Sequence, residues 1–566
     1  MAGGELSEHE ARSSLVQAAQ SCGLEDDEIH LTIESGLKAG MRDPRQVSEP
    51  LGDRRGSGDA ANDSLPLITW NEAQLPHITL QALDAIDTAN KAGVTPYIFQ
   101  RGGCLVRMGV DHSTPIRKGI SRSPDAPTIY QVRSHYLQQH LTKVARWQKW
   151  NDRKNKYVDC ACPKKVADTL LEMSGEYTVW PLHAIINAPT MLPDGSILER
   201  PGYDESTGIY FDPDGVRFSV VPQRPTEADV KQALKKLLAV ISEFPFKTEA
   251  DRSVALAYIL TALVRRSLPT APGTAFSATV MATGKTRLAN IASHIAYGCP
   301  ADNISYPNDE TEMSKRVFSL LFEGAGVVVL DNLEQPLTSE TLCTVLTEPT
   351  YKGRVLGKSE MQSVSTNVTW AATGNNLLLR GDITTRFLLC QLDAKMERPE
   401  ERTFKRNLDE YISARRAKLV IAGLTILRAH FLATDKPQLT PFGRFEVWSD
   451  MVRSAVVWCG LPDPLVTRKE IDASDPVREA LKAVLIAWHD EFGSQRMLVK
   501  DAIDGASQGC KSLVEALENA VDSRGLLSPR SVGKWLAKHK ERRINGLRFV
   551  KAGDGPSGSY WCVKMD

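Results

Sequence analysis

Lys285 and Thr286 close the octapeptide TVMATGKT (279–286), which follows the apolar run Ala275-Phe276-Ser277-Ala278. A strand that passes through a tight loop into a helix aims backbone N–H groups and a helix N-terminus at phosphate. In that setting the Lys285 ammonium reaches the outer phosphates and the Thr286 hydroxyl reaches Mg2+. Thr279, Ala282, Thr283 and Gly284 supply the cradle itself. Further on, Gly326-Val327-Val328-Val329-Leu330 reads as a fully buried parallel strand. It ends in Asp331, a hard carboxylate suited to Mg2+ or to one of its waters. A third apolar run, 367–372, leads into Thr373-Gly374-Asn375-Asn376, where the Asn375 amide can orient a water or the γ-phosphate. Arg386, at the end of Asp382-Ile383-Thr384-Thr385, offers a guanidinium for charge that builds up in a transition state. Four such elements in this order predict an α/β P-loop ATPase core with ATP and Mg2+ as its cofactors.

Two loop positions depart from the pattern G-x-x-x-x-G-K-[ST]. Thr279 stands where the pattern has glycine, and Ala282 holds a position that is often a second glycine. Glycine serves there because it takes positive φ and lets the backbone approach phosphate closely.

The chain resembles the AAA+/superfamily-3-type replicative helicases of phages, plasmids and integrated mobile elements, which are often joined to a primase. The text that carries the resemblance is RPGYDESTGIYFD (200–212), the ATPase run, RVLGKSE (354–360), ATGNN (372–376), GDITTR (381–386), MERPEERTF (396–404) and FGRFEVWSDMVRSAVVWCG (442–460). By position, the resemblance implies that Lys285 and Thr286 take the Walker A role and Asp331 the Walker B role. It likewise gives Asn375 the sensor-1 role and makes Arg386 an arginine finger donated to a neighbouring subunit. Asn332 stands where many relatives carry a second acid, and Glu334, two residues on, is the candidate replacement.

The rest of the chain must position these residues. Its 566 residues exceed one core and suggest roughly three to five domains. Lys+Arg and Asp+Glu both number 69, so a polyanion site has to be a local patch. No apolar run approaches ~18 residues and no signal pattern opens the chain, so a cytoplasmic protein without membrane contact is expected. The ten cysteines lack paired metal spacing and read as reduced thiols.

The expected order is a helical segment at 1–42, which is either a small cap or the region that follows a primase domain in such chains, and a Gly/Pro/Ser-rich linker at 43–66. An N-terminal α+β domain (67–224), the ATPase domain with its helical lead-in (225–395), a helical lid (396–490) and a C-terminal winged helix (491–566) follow. Within the α+β domain a glycine hairpin is expected around Gly102-Gly103 and a helix over 132–150. The window 131–165 interleaves Trp147, Trp150 and Tyr157 with nine cations against Asp152 and Asp159, which suits either DNA contact or a solvated face. Beyond Arg386 a long helix is expected over 402–431. In the C-terminal domain Lys534, Lys538, Arg542, Arg543 and Arg548 face one acid, Glu541, and can contact duplex DNA or a protein.

The expected activity is that of an ATP-dependent DNA helicase or translocase. It would form a homo-oligomer, a hexameric ring, on single-stranded DNA, with a separate primase as a further partner. Thr279, Ala282 and Asn332 keep open a nucleotide-switched initiator or scaffold that hydrolyses ATP slowly or not at all.

Overall fold

The computed structural model describes residues 65–110, 120–121, 127–354, 361–403, 405–474, 476–509, 511–521, 527–556 and 558–565. The helical segment expected at 1–42, the linker at 43–66 up to residue 64 and most of RVLGKSE lie outside them.

The chain divides into two compact units, one of residues 1–71 and 142–161, the other of residues 72–141 and 162–566. In the described part of the first, Leu67–Trp70 pairs in parallel with Arg146–Asn151, which pairs antiparallel with Lys156–Cys160. The helix expected over 132–150 is therefore corrected. It spans Ser134–Val144 and gives way to a strand at Arg146. Trp147 is buried and Trp150 exposed, an alternation by side that a strand produces and a helix does not. Tryptophan and tyrosine also favour pleated surface.

The larger unit begins with a helix, Leu75–Lys91, and the hairpin Ile98–Arg101 and Cys104–Val110, turned by Gly102 and Gly103 at φ 56° and 83°. Two capped helices follow, α1 (Glu227–Ile241) and α2 (Glu249–Val264). Thr226 with Asp229, and Thr248 with Asp251, form reciprocal capping boxes at their starts. The central sheet comes next. Its elements are β1 (Gly273–Ala278), α3 (Lys285–Tyr297), β2 (Asp302–Ile304), α4 (Glu310–Glu323), β3 (Val327–Leu333), α5 (Glu340–Thr347), β4 (Thr369–Asn375) and β5 (Phe387–Leu392). In space the order is β5-β1-β4-β3-β2, all parallel, with Ile120–Ser121 antiparallel at the β2 edge. Parallel strands covered on both faces read as unbroken apolar runs, as 327–330 does.

Arg101, buried in the N-terminal hairpin, donates to the Leu321 and Phe322 carbonyls at 2.7 and 3.2 Å, and to those of Leu182 and His183 at 3.0 and 2.7 Å. A buried guanidinium is costly without such acceptors, so the last turn of α4 and the hairpin hold each other in place.

The long helix expected over 402–431 is also corrected. Arg402 donates to the Glu243 carbonyl and Lys405 N–H to the Glu243 carboxylate, which pins this segment to the end of α1 in non-helical form. Helix resumes at Leu408–Ser413, capped by Asn407, and then as α6 (Arg416–Leu432). Buried side chains of 412–471 join the core of the central sheet, α1 and α2. The part of the expected lid that forms α7 (Pro476–Phe492) packs elsewhere. Its Leu481, Leu485 and Trp488 share a second core with Leu513, Leu517, Val532, Phe549 and Val563. That core holds α8 (Val499–Gly509), α9 (Lys511–Val521), α10 (Pro529–Lys538) and the hairpin of β6 (Leu547–Gly555) and β7 (Gly558–Met565), with Met497–Leu498 paired to β7. No helix among the described residues is long and apolar enough to cross a membrane.

Candidate active site

All six residues of β1 are buried, so the strand delivers its loop from a rigid base. Gly284 caps α3 at φ 93°, and Ala282 sits at φ 57°. An alanine in this left-handed region stores roughly 1 kcal/mol of strain. Thr279 is not among the positive-φ residues, which is why the loss of glycine is tolerated there. Lys285 is 9% exposed, and its ammonium donates to the Val280 carbonyl at 3.2 Å, Thr283 Oγ1 at 3.3 Å and Asn375 Oδ1 at 2.7 Å. Burial lowers the Lys285 pKa, and the nearby Asp331 carboxylate opposes that shift.

Asp331 ends the apolar part of β3. Its Oδ1 accepts from Thr286 Oγ1 at 2.8 Å and from Thr373 Oγ1 at 2.6 Å. Just beyond it the strand bulges between Leu330 and Leu333, and Asn332 takes φ 54°. The Asn332 N–H donates to the same Thr373 hydroxyl at 2.9 Å. Thr373 thus fixes both the carboxylate and the backbone that carries it, a role that the sequence alone did not reveal. At Gly374 an added Cβ would meet the Leu333 carbonyl at 2.7 Å, so glycine is what lets β4 lie this close to the bulge.

Lys285, Thr286, Asp331 and Asn375 are therefore joined at the C-terminal edge of the sheet, where β1, β3 and β4 end side by side. Their chemistry, an ammonium, a hydroxyl, a carboxylate and an amide beside a loop of backbone N–H groups, suits a polyphosphate. Glu334 is exposed one residue past β3, outside this bonded set. A small cavity beside Thr283 and Gly284 is lined by Val240, Phe244, Leu408 and the Arg406–Glu243 ion pair (3.0 Å). Sequence reading missed this apolar space, because its walls come from α1 and from the segment after β5.

Arg386 stands apart from the others. It immediately precedes β5, whose Phe387 pairs with Gly273 at the N-terminal end of β1. Its Nη1 donates to the Asp382 carbonyl at 2.7 Å and lies 3.5 Å from the Asp382 carboxylate. It lines a groove of about 730 Å³ with Ser339, Cys343, Thr347, Asp382 and Arg444.

In the C-terminal elements Lys534 and Lys538 are exposed on α10. Arg548 is paired with Glu541, and Arg542 lies 3.1 Å from His539 Nδ1, so these two cations of the expected cluster have partners within the chain. Arg543 is exposed. A separate cleft of about 440 Å³ is lined by Lys500, Arg530, Lys540 and Lys551, with Gly533 and Trp561, and among the described residues no carboxylate lines it.

No protein-family model matches the chain, and no curated protein matches it. Solved structures similar to it include the A-form apo structure of the NrS-1 C-terminal region, at 11% identity and TM-score 0.36, covering 79% of this chain and 97% of that one. The active helicase Cch of SCCmec type IV is similar at 12% identity and TM-score 0.31, over 82% and 91% of the two chains. JCV helicase is similar at 12% identity and TM-score 0.19, over 46% and 71%. At these scores the function is argued from the geometry of the site.

Proposed function

We propose that this chain is an ATP-dependent DNA helicase or translocase that works as a homo-oligomeric ring, a hexamer, in the replication of a mobile genetic element. The observation that carries the reading is the bonded set at the sheet edge, in which Lys285 meets Asn375 and Thr286 meets Asp331. ATP would lie along the 279–286 loop, with its base toward Phe244 and Leu408. Mg2+ fits the donors present. It takes hard oxygens, keeps several waters and needs only one or two carboxylates besides substrate phosphates, and Thr286 and Asp331 already point their oxygens at one another. Bound there, the cation would neutralise charge on the phosphates. Lys285 would add charge from a half-closed, low-dielectric position, and Asn375 would orient the water or the γ-phosphate.

Arg386, at the opposite sheet edge, would serve a neighbour's nucleotide in a shared site, a reading supported by its distance from its own chain's loop. The C-terminal elements, three helices and a hairpin, are read as a winged helix that holds duplex DNA, while the ring would carry single-stranded DNA. A separate primase would be a further partner. For domains we propose 67–224, 225–395, a helical region to about 475, and a C-terminal domain enlarged by α7.

The test pairs an ATPase assay, with and without DNA, with displacement of a labelled strand from a forked duplex. DNA-stimulated turnover with displacement is expected. Nucleotide binding without either would move the reading to a slow nucleotide switch.

A further inference from the structure

We propose that the hairpin of Arg146–Asn151 and Lys156–Cys160 is a binding site for single-stranded nucleic acid, with Trp150 and Tyr157 as its stacking platform. The two residues lie directly opposite in the antiparallel register. Their rings meet edge to face, with centroids 5.1 Å apart and planes at 74°. Trp150 is 45% exposed and Tyr157 52%, whereas Trp147, on the other face of the same strand, is 1% exposed. Burial is what normally stabilises rings of this size, so a half-exposed pair leaves ring surface open to stacking.

The surroundings favour a nucleic acid over a protein. On the same face Gln148 donates to Thr69 Oγ1 at 2.7 Å, and Arg146 lies 3.4 Å from Asp159. These polar pairs bound the aromatic surface, and Leu67, also exposed, lies at the far end of the sheet beside Arg146. A protein-docking patch is usually a larger continuous apolar area. Around the ring end of the hairpin the charge is positive. Arg153 and Lys154 occupy the turn, and Lys149 and Lys156 project from the reverse face of the last rungs, all exposed. Asp152 is the acid at this end, while Asp159 is engaged by Arg146. Cations that follow a backbone and rings that take successive bases are the two halves of a single-strand site. A duplex keeps its bases stacked on one another, so it cannot use the rings. The helix expected here from the sequence would not have set Trp150 against Tyr157, and the inference stands apart from the nucleotide site.

The experiment uses the full-length protein and an oligodeoxynucleotide of about 16 nucleotides, the upper site size of one binding module. With 5-iodouracil in the strand, photocrosslinks mapped by peptide mass spectrometry are expected at Trp150 or Tyr157. Trp150→Ala and Tyr157→Ala should each weaken binding about five- to 150-fold, the range that base stacking gives. Trp150→Phe and Tyr157→Phe should retain most of the affinity. Arg153→Gln and Lys154→Gln should each flatten the slope of log K against log salt by about 0.7. Crosslinks confined to other segments with unchanged affinity in the alanine variants would overturn the proposal. So would a duplex of equal length that competes as well as the single strand.

Discussion

The backbone N–H of Gly273 donates to the carbonyl of Arg386 at 2.9 Å, which ties Arg386 to the N-terminal end of the strand whose other end feeds the Lys285 loop. Six residues of strand put roughly 17–20 Å between those ends. A guanidinium so placed lies away from its own chain's loop, so a part in turnover would require the nucleotide of a neighbouring subunit. Arg386→Ala and Lys285→Ala should therefore each abolish turnover alone. After subunit exchange an equal mixture should regain activity, with roughly a quarter of the interfaces of a head-to-tail ring intact. Mixtures as inactive as the separate variants would place Arg386 outside any shared site.

The 2.7 Å contact between the Lys285 ammonium and the Asn375 amide predicts two different failures. Lys285→Ala removes a buried charge aimed at developing phosphate charge, so kcat should fall by at least about 100-fold. Asn375→Ala removes an orienting group and should lower kcat while leaving nucleotide affinity largely intact. Nucleotide titration beside steady-state kinetics separates the two, and an unchanged rate for Lys285→Ala would remove the loop from the chemistry.

Thr373→Val should cost about 10–100-fold in activity or Mg2+ affinity, the usual range when a ligand's supporting hydrogen bond is lost. The substitution keeps the shape of the strand but leaves Asp331 without one donor and the Asn332 N–H without its acceptor. Thr373→Ser should restore most of the loss, which a purely steric role would not explain.

How much of this was legible in the sequence depended on how local each interaction is. Lys285, Asp331 and Asn375 stand at the ends of apolar runs, so their candidacy follows from short stretches of sequence, and the sheet brings them together. Thr373 did not stand out, because its role comes from the pairing of β4 with a bulge in β3. By composition the run Arg146 to Trp150 continues the preceding helix. Its partner strand, 156–160, decides otherwise through a cross-strand pairing that composition does not announce. Trp488 falls inside the lid expected at 396–490 by sequence order, yet it meets Phe549 at 5.4 Å in the C-terminal core, a long-range packing that order along the chain does not reveal.

Buried His430 predicts how stability responds to acid. Its ring is 2% exposed, lies 2.9 Å from Ser454 Oγ and meets Trp458 edge to face. Burial is the main cause that pulls its pKa down to about 4, and Lys436 adds to it. The unfolded chain, with an ordinary value near 6.5, then binds a proton that the folded chain refuses. The sign follows. Stability is fully present above pH 6.5 and is lost as pH falls toward 4, by at most roughly 3 kcal/mol. Urea denaturation from pH 7 to 4.5 should show this loss, and His430→Gln should flatten that part of the profile. An identical pH dependence in both proteins would rule out His430 as the cause.

The C-terminal cleft gives the last prediction, and it differs from what the basic sequence cluster implied. Arg548 is held by Glu541 and Arg542 lies against His539, so contact with a phosphate would first cost an interaction already made. Lys500, Arg530, Lys540 and Lys551 line one cleft that has no carboxylate among its described residues, although Lys551 also reaches Asp554 at 2.6 Å. Pro529 and Arg530 open α10, so backbone N–H groups of its first turn add to the positive field there. Gly533 has nothing within 4 Å of where a Cβ would sit, which leaves room for a phosphate chain to approach the helix. Each phosphate contact contributes about 0.9 to the slope of log K against log salt on duplex DNA. Replacing all four cleft cations with alanine in the full-length protein should therefore lower that slope by roughly 3–4, while the ATPase rate without DNA stays unchanged. Arg542→Ala with Arg548→Ala should change it by less than one contact's worth. If the arginine pair carries the slope and the cleft variants bind normally, duplex runs along the face expected from the sequence. If neither set alters binding, the C-terminal domain is a protein contact and the DNA lies elsewhere on the chain.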